Sequence, residues 1–202
     1  MSKGGGSTRS KSPNKKANLL ELAQKEYYEY THGGGYYSEI MGEYSHMDAV
    51  FSGAKNDMTL YRGTTTEELK PLLKDVGVKN IEDYKKAEGK EFISKNFKST
   101  STNKKTADDY ASDVYDRFDD DGEYVLDHPV IVRYNIAKGT PIAERKDEGR
   151  FGARGGRGEH TLGRNVSMKI KSIKRERTPM DSSYRKGKKA YRYEVEIDVK
   201  KK

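Results

Sequence analysis

The chain has no cysteine, no tryptophan and only 5 prolines. Without cysteine there is no disulfide framework, no thiolate metal site and no thiol nucleophile. Long apolar runs are also missing. A bilayer-spanning helix needs about 20 consecutive apolar residues, and no apolar segment follows the basic N-terminus as a cleaved export signal requires. The expectation is therefore a soluble chain of the cytoplasm, of a producing or a target cell, with no membrane partner. Apolar residues make up 32% of the 202 and charged residues 36%, so the core must be lean. Tyrosine, present 15 times, suits such a core because it buries a ring while its hydroxyl stays hydrogen-bonded.

The net charge of +8 is uneven. Residues 1–17 carry five cations and no acid, and from Gly163 to Lys202 there are 14 Lys and Arg against 5 Asp and Glu, which leaves the middle of the chain at −6. A surface facing a polyanion and charge kept for solubility both account for this pattern. The first 17 residues, rich in Gly, Ser and Lys, are expected to be a disordered basic tail, and 18–202 a single domain.

Hydrophobic periodicity then predicts the elements. Leu19, Leu22, Ala23, Tyr27 and Tyr30 recur at helical spacing up to Gly33-Gly34-Gly35, and a second helix is expected from about Tyr36 to Phe51. Met58 to Thr64 reads as a strand ending in Arg62-Gly63. Two short helices follow, capped by Thr66 and Asn80. Lys90 to Lys98 reads as a strand entering Ser99-Thr100-Ser101, and Asn103 to Phe118 as a helix. Strands are expected at V-I-V-R-Y-N-I, at Val166 to Ile170 and at Tyr191 to Val199, with a turn-rich segment from Lys171 to Gly187. Helices first and short strands after predict an α+β fold with antiparallel sheets. His32 and His46 have no third ligand at metal-like spacing, and Asp119-Asp120-Asp121-Gly122 lacks the terminal Glu of a calcium loop, so no metal is expected.

Three stretches carry chemistry. The fork of Arg62 can grip a phosphate or carboxylate, with the backbone of Gly63 open beside it. The hydroxyls of Ser99, Thr100 and Ser101 can tie neighbouring loops to the backbone. From Arg150 to Asn165 one carboxylate, Glu159, stands among four arginines and five glycines, where glycine allows close backbone approach to a ligand.

That order, Arg, then Ser-Thr-Ser, then Glu, resembles the arginine/serine/glutamate class of NAD-dependent mono-ADP-ribosyltransferases, which includes bacterial toxins and phage-encoded enzymes. The resemblance covers roughly Asn18 to Val199 and rests also on Tyr61-Arg62-Gly63, on F-x-S-T-S from Phe97 and on the closing strands. It implies a helical lead-in followed by two packed, mainly antiparallel sheets around an NAD cleft. NAD would be the substrate, with no metal. It implies that Arg62 binds the phosphate and ribose region, that Gly63 holds the nicotinamide amide, and that Ser99 orients the site with Thr100 and Ser101 in support. Glu159 would be the catalytic acid residue, with Tyr110, Phe118 or Phe151 stacking on nicotinamide. Arg157 departs from the family, which usually has Glu or Gln two residues before the catalytic Glu. A guanidinium there repels an incoming arginine, and Arg150, Arg154 and Arg157 would form a positive lip for the acceptor.

The expected activity is transfer of ADP-ribose to RNA, DNA or a protein side chain other than arginine, by an intracellular toxin or phage-type effector that can have an antitoxin or immunity partner. NAD hydrolysis could accompany it. The alternative is a non-catalytic, basic nucleic-acid-binding or virion-associated module of the same fold.

Overall fold

The computed structural model describes residues 15–32, 44–111, 115–118, 124–145, 158–178 and 190–202. Contacts divide the chain into two compact units, Met1–Val50 and Phe51–Lys202. The first holds helix α1 (Lys15–His32) and a 3₁₀ turn, Met47–Val50. α1 begins three residues before the expected boundary at Asn18 and buries Ala23 and Tyr30, while Leu19, Leu20 and Leu22 remain exposed. The ring of Tyr30 meets that of Tyr44 edge-on at 5.8 Å, and Glu26 accepts from both the backbone and the ring of His46, a structural use for that histidine. Half of the expected second helix, 36–43, lies outside the described residues, as does Asp119 to Gly122; the described half, 44–51, holds only the 3₁₀ turn Met47–Val50 and no α-helix.

The second unit is organised by strands. In chain order they are β1 (Ser52–Gly53), β2 (Met58–Thr65), β3 (Glu91–Ser94), β4 (Lys98–Ser101), β5 (Tyr115–Phe118), β6 (Tyr124–Asp127), β7 (Pro129–Ile136), β8 (Pro141–Glu144), β9 (Glu159–Leu162), β10 (Val166–Thr178) and β11 (Ala190–Lys201). Helix α2 (Thr66–Asp75) and a 3₁₀ helix (Ile81–Ala87) lie between β2 and β3, and helix α3 (Lys104–Ala111) follows β4. The α+β expectation holds. Among the described residues, however, the two expected sheets form one nine-stranded order, β1-β8-β9-β4-β2-β7-β11-β10-β3, with β5 and β6 as a separate pair. Among the described residues all pairings are antiparallel except β7 with β11.

The two halves of the large sheet are joined by a single residue pair, Tyr61 of β2 opposite Ser101 of β4. Past it the ladder stops. The core nonetheless runs through both halves: Leu162 of β9 belongs to the same buried cluster as Leu60, Val130, Ile170, Val195 and Ile197. Each fully buried side chain of this kind is worth about 1.5–3 kcal/mol.

Several expectations fail locally, each for a tertiary reason. Lys90 to Lys98 is two strands: β3 pairs with β10 at one end of the sheet, while β4 pairs with β9 and β2. The helix expected to reach Phe118 ends at Ala111, because 115–118 pairs with 124–127 as a hairpin. β10 runs on to Thr178 through the supposedly turn-rich region because β11 offers a partner along that whole length. Its basic side chains are held by acids, Lys171 by Glu196 at 3.2 Å and Arg175 by Glu82. The cap of α2 is Thr65, whose hydroxyl accepts from Glu67 N, one residue before the position expected.

Candidate active site

The sequence-predicted residues Arg62, Gly63, Ser99, Thr100 and Ser101 line the seam where the sheet splits, and Glu159 lies one strand further on. After the Tyr61–Ser101 pair, β2 continues on β7 alone. The antiparallel direction carries Arg62 and Gly63 towards Thr100 and Ser99, but no ladder forms there.

Arg62 bridges the seam. Its Nη1 donates to the Ser99 carbonyl at 3.0 Å, while its Nε and Nη2 donate to the two carboxylate oxygens of Glu68 at 3.2 and 2.7 Å. Glu68 stands in the first turn of α2, where a carboxylate also suits the helix dipole. Burial opposes the charge of Glu68, but the Arg62 cation, its hydrogen bonds and nearby Lys98 outweigh that and hold the carboxyl below its ordinary range. The two-pronged pair fixes the plane of the guanidinium.

Gly63 has a packing reason of its own. A Cβ there would stand 1.9 Å from the Ala107 carbonyl oxygen, so α3 crosses β2 at a distance only glycine permits. Ala107 and Ala111 pack there with Ile131 and Tyr61.

On β4, Thr100 and Ser101 are buried and Ser99 is exposed. Thr100 Oγ1 donates to the His160 carbonyl at 2.8 Å, and Ser101 Oγ accepts from Asn103 N at 3.0 Å. Asn103 in turn caps α3 by accepting from Lys105 N at 2.9 Å. The hydroxyl run therefore ties β4 to β9 and launches the helix, as side-chain to backbone bonding predicts.

Glu159 is the residue opposite Ser101 in the β4–β9 ladder, with Ser99 opposite Thr161. Cross-strand partners share a face, so the Glu159 carboxylate projects on the same side as the Ser99 and Ser101 hydroxyls. Gly158 delivers it. Its φ is +91°, and a Cβ would lie 2.3 Å from Thr102 Oγ1, so only glycine fits immediately before the acid. Past β9, Gly163 N donates to the Pro141 carbonyl, and Asn165 makes the turn into β10 at φ 59°.

Two participants were missed in the sequence. Arg145 follows β8, and its Nη1 donates to Glu159 Oε2 at 2.5 Å. Glu68 is the other. Neither had a signal of its own, since each sits in a run of mixed charge. Arg150, Arg154, Arg157, Phe151 and the side chain of Phe118 lie outside the described residues, and Tyr110 is 70% exposed on α3. Among the described residues no cluster of His, Cys, Asp and Glu could hold a metal, and no helix is long and apolar enough to cross a membrane.

The split α+β sheet thus brings an arginine and a hydroxyl run to its seam, with a glycine-delivered glutamate one strand away. The ADP-ribosyltransferase exoenzyme family matches residues 33–199, and the chain belongs to that family of NAD-dependent transferases, for which NAD is the substrate. Among curated proteins none matches significantly. Solved structures share the fold. The ADP-ribosylating toxin BECa of a binary enterotoxin of C. perfringens, with NADH, has a TM-score of 0.53 at 18% identity over 91% of this chain. This chain spans 45% of that toxin. C3stau2 from S. aureus, with NAD, has a TM-score of 0.51 at 12% identity over 92% of each chain.

Proposed function

We propose that the chain is a mono-ADP-ribosyltransferase of the arginine/serine/glutamate class, acting inside cells as a toxin or phage-type effector. The supporting observation is the strand order β9-β4-β2, which gathers Glu159, Ser99-Thr100-Ser101 and Arg62 from distant parts of the chain. Arg62, held by Glu68, anchors the diphosphate and so positions the ribose. The Ser99 hydroxyl orients the site, and Gly63 offers main chain to the nicotinamide amide. Glu159 accepts a hydrogen bond from the 2′-hydroxyl of the nicotinamide ribose. As the glycosidic bond breaks, its electron pair goes to the departing nicotinamide and positive charge develops on the sugar. The carboxylate bond strengthens at that point, which lowers the barrier. The acceptor's nucleophile then bonds to the anomeric carbon and gives up a proton.

The acceptor is a macromolecule, RNA or DNA or a protein side chain other than arginine. Arg157 disfavours an arginine acceptor, and Arg154 with Arg157 suits phosphates. The basic C-terminal segment adds less than its composition suggests. Lys169, Lys171, Arg175 and Arg192 there pair with Glu91, Glu196, Glu82 and Asp108. A producing cell would then need an antitoxin or immunity partner.

Incubation with labelled NAD and a cell extract, followed by separate nuclease and protease digestion, tests this. Label lost to nuclease identifies a nucleic-acid acceptor, and label lost to protease a protein. Nicotinamide release without labelled macromolecule means hydrolysis. Labelling undiminished in Glu159→Ala removes Glu159 from catalysis.

A further inference from the structure

We infer that Arg145 is the positioning residue for Glu159, an inference that rests on the catalytic reading of Glu159. Two independent bonds join the residues. The Arg145 backbone N donates to the Glu159 carbonyl at 3.0 Å, extending the β8–β9 ladder one step beyond its last pair, Glu144 with His160. The Arg145 Nη1 donates to Glu159 Oε2 at 2.5 Å. Both side chains are largely withdrawn from water, at 15% and 23% exposure, so the contact is not a loose surface pair.

The geometry assigns a function to each carboxylate oxygen. Glutamate has three side-chain torsions, and a carboxylate on a strand end would sample several rotamers. Holding Oε2 against a guanidinium whose own backbone is locked to the same residue removes that freedom. Oε1 is then the oxygen that remains for the sugar hydroxyl. Because β8 and β9 flank the span 146–157, the strand ladder itself holds Arg145 beside the acid. The guanidinium acts through Glu159 and takes no part in bond making.

The test is steady-state nicotinamide release, which needs no knowledge of the acceptor, on wild type, Arg145→Lys, Arg145→Met, Glu159→Ala and the Arg145→Met/Glu159→Ala double variant. Arg145→Met should lower kcat about 10- to 100-fold, the scale on which catalytic geometry is lost by a misplacement of about 1 Å. KM for NAD should change by less than about threefold, Arg145→Lys should recover part of kcat, and the double variant should be no slower than Glu159→Ala alone. Three results overturn the inference: kcat unchanged in Arg145→Met, KM raised with kcat intact, which would make Arg145 an NAD anchor, or kcat increased, which would make it a brake. Should Arg145→Met fail to fold, the kcat of Arg145→Lys decides, with wild-type turnover counting against the inference. Full nicotinamide release by Glu159→Ala instead defeats the catalytic reading of Glu159 itself, and that outcome is distinct from every one above.

Discussion

Arg62 and Glu68 meet in a two-pronged ion pair across the junction of β2 and α2, with the third bond of the guanidinium on the Ser99 carbonyl. Arg62 is thus held between a helix and the far side of the sheet seam. Glu68→Gln should loosen it. Because the Glu68 side chain is 35% exposed, screening limits the loss to about 1 kcal/mol, with a rise in KM for NAD of about fivefold. The pH dependence has a definite sign. The Glu68 carboxyl is held below its ordinary value, so its contribution is complete above the unfolded value near pH 4.5 and is lost as pH falls through the lower folded value. Urea unfolding of wild type and Glu68→Gln at pH 7 and pH 3 should show the gap closing at the lower pH.

Gly63→Ala should destabilise the protein by about 1–3 kcal/mol, the usual cost of overpacking, or more. The offending atom is the backbone oxygen of Ala107, which cannot rotate away as a side chain would. A urea midpoint unchanged from wild type would contradict this packing.

Ser99 and Ser101 should separate function from stability. Ser101→Ala leaves Asn103 N without its acceptor at the start of α3 and should cost about 1 kcal/mol. Ser99 is exposed, so Ser99→Ala should stay within about 0.5 kcal/mol of wild type while nicotinamide release falls. Thermal melts beside turnover assays distinguish the two.

His128 makes stability fall in mild acid. Burial pushes its imidazole below the ordinary value, together with Lys70 and Arg175 and against Asp127 and Glu82, and its Nδ1 accepts from Tyr191 N at 3.2 Å. Protonation would put a proton where that bond needs a lone pair. With a folded value below the unfolded one near 6.5, the contribution is present above pH 6.5 and lost as pH falls towards the folded value. His128→Phe should be less stable than wild type at pH 8 but lose less on going to pH 5, as read by urea midpoints.

The legible parts of the fold were those with strong local patterns. The alternation of Tyr191 to Val199 reappears as β11, and V-I-V-R-Y-N-I as β7. The three motif segments were also legible, because arginine, clustered hydroxyls and a glycine-borne carboxylate stand out chemically. Boundaries set by distant partners were not. Nothing between Lys90 and Lys98 shows that its two ends pair with different strands, and Tyr115 to Phe118 continues a helical pattern that the hairpin with 124–127 overrides. Glu68 and Arg145 were invisible because ion-pair partners are chosen by proximity in space, and each has charged neighbours in sequence that would have served as well on paper.

The order of residue types along the chain determined by itself the family, the α+β class, the lean core and the chemistry available at Arg62, Ser99 and Glu159, since these follow from side-chain composition and local periodicity. Only tertiary structure decided that the sheet opens after Tyr61 and Ser101, that Glu68 grips the arginine and that Arg145 grips the acid. Strand order and register arise from burying one shared core, and no stretch of sequence contains that information alone.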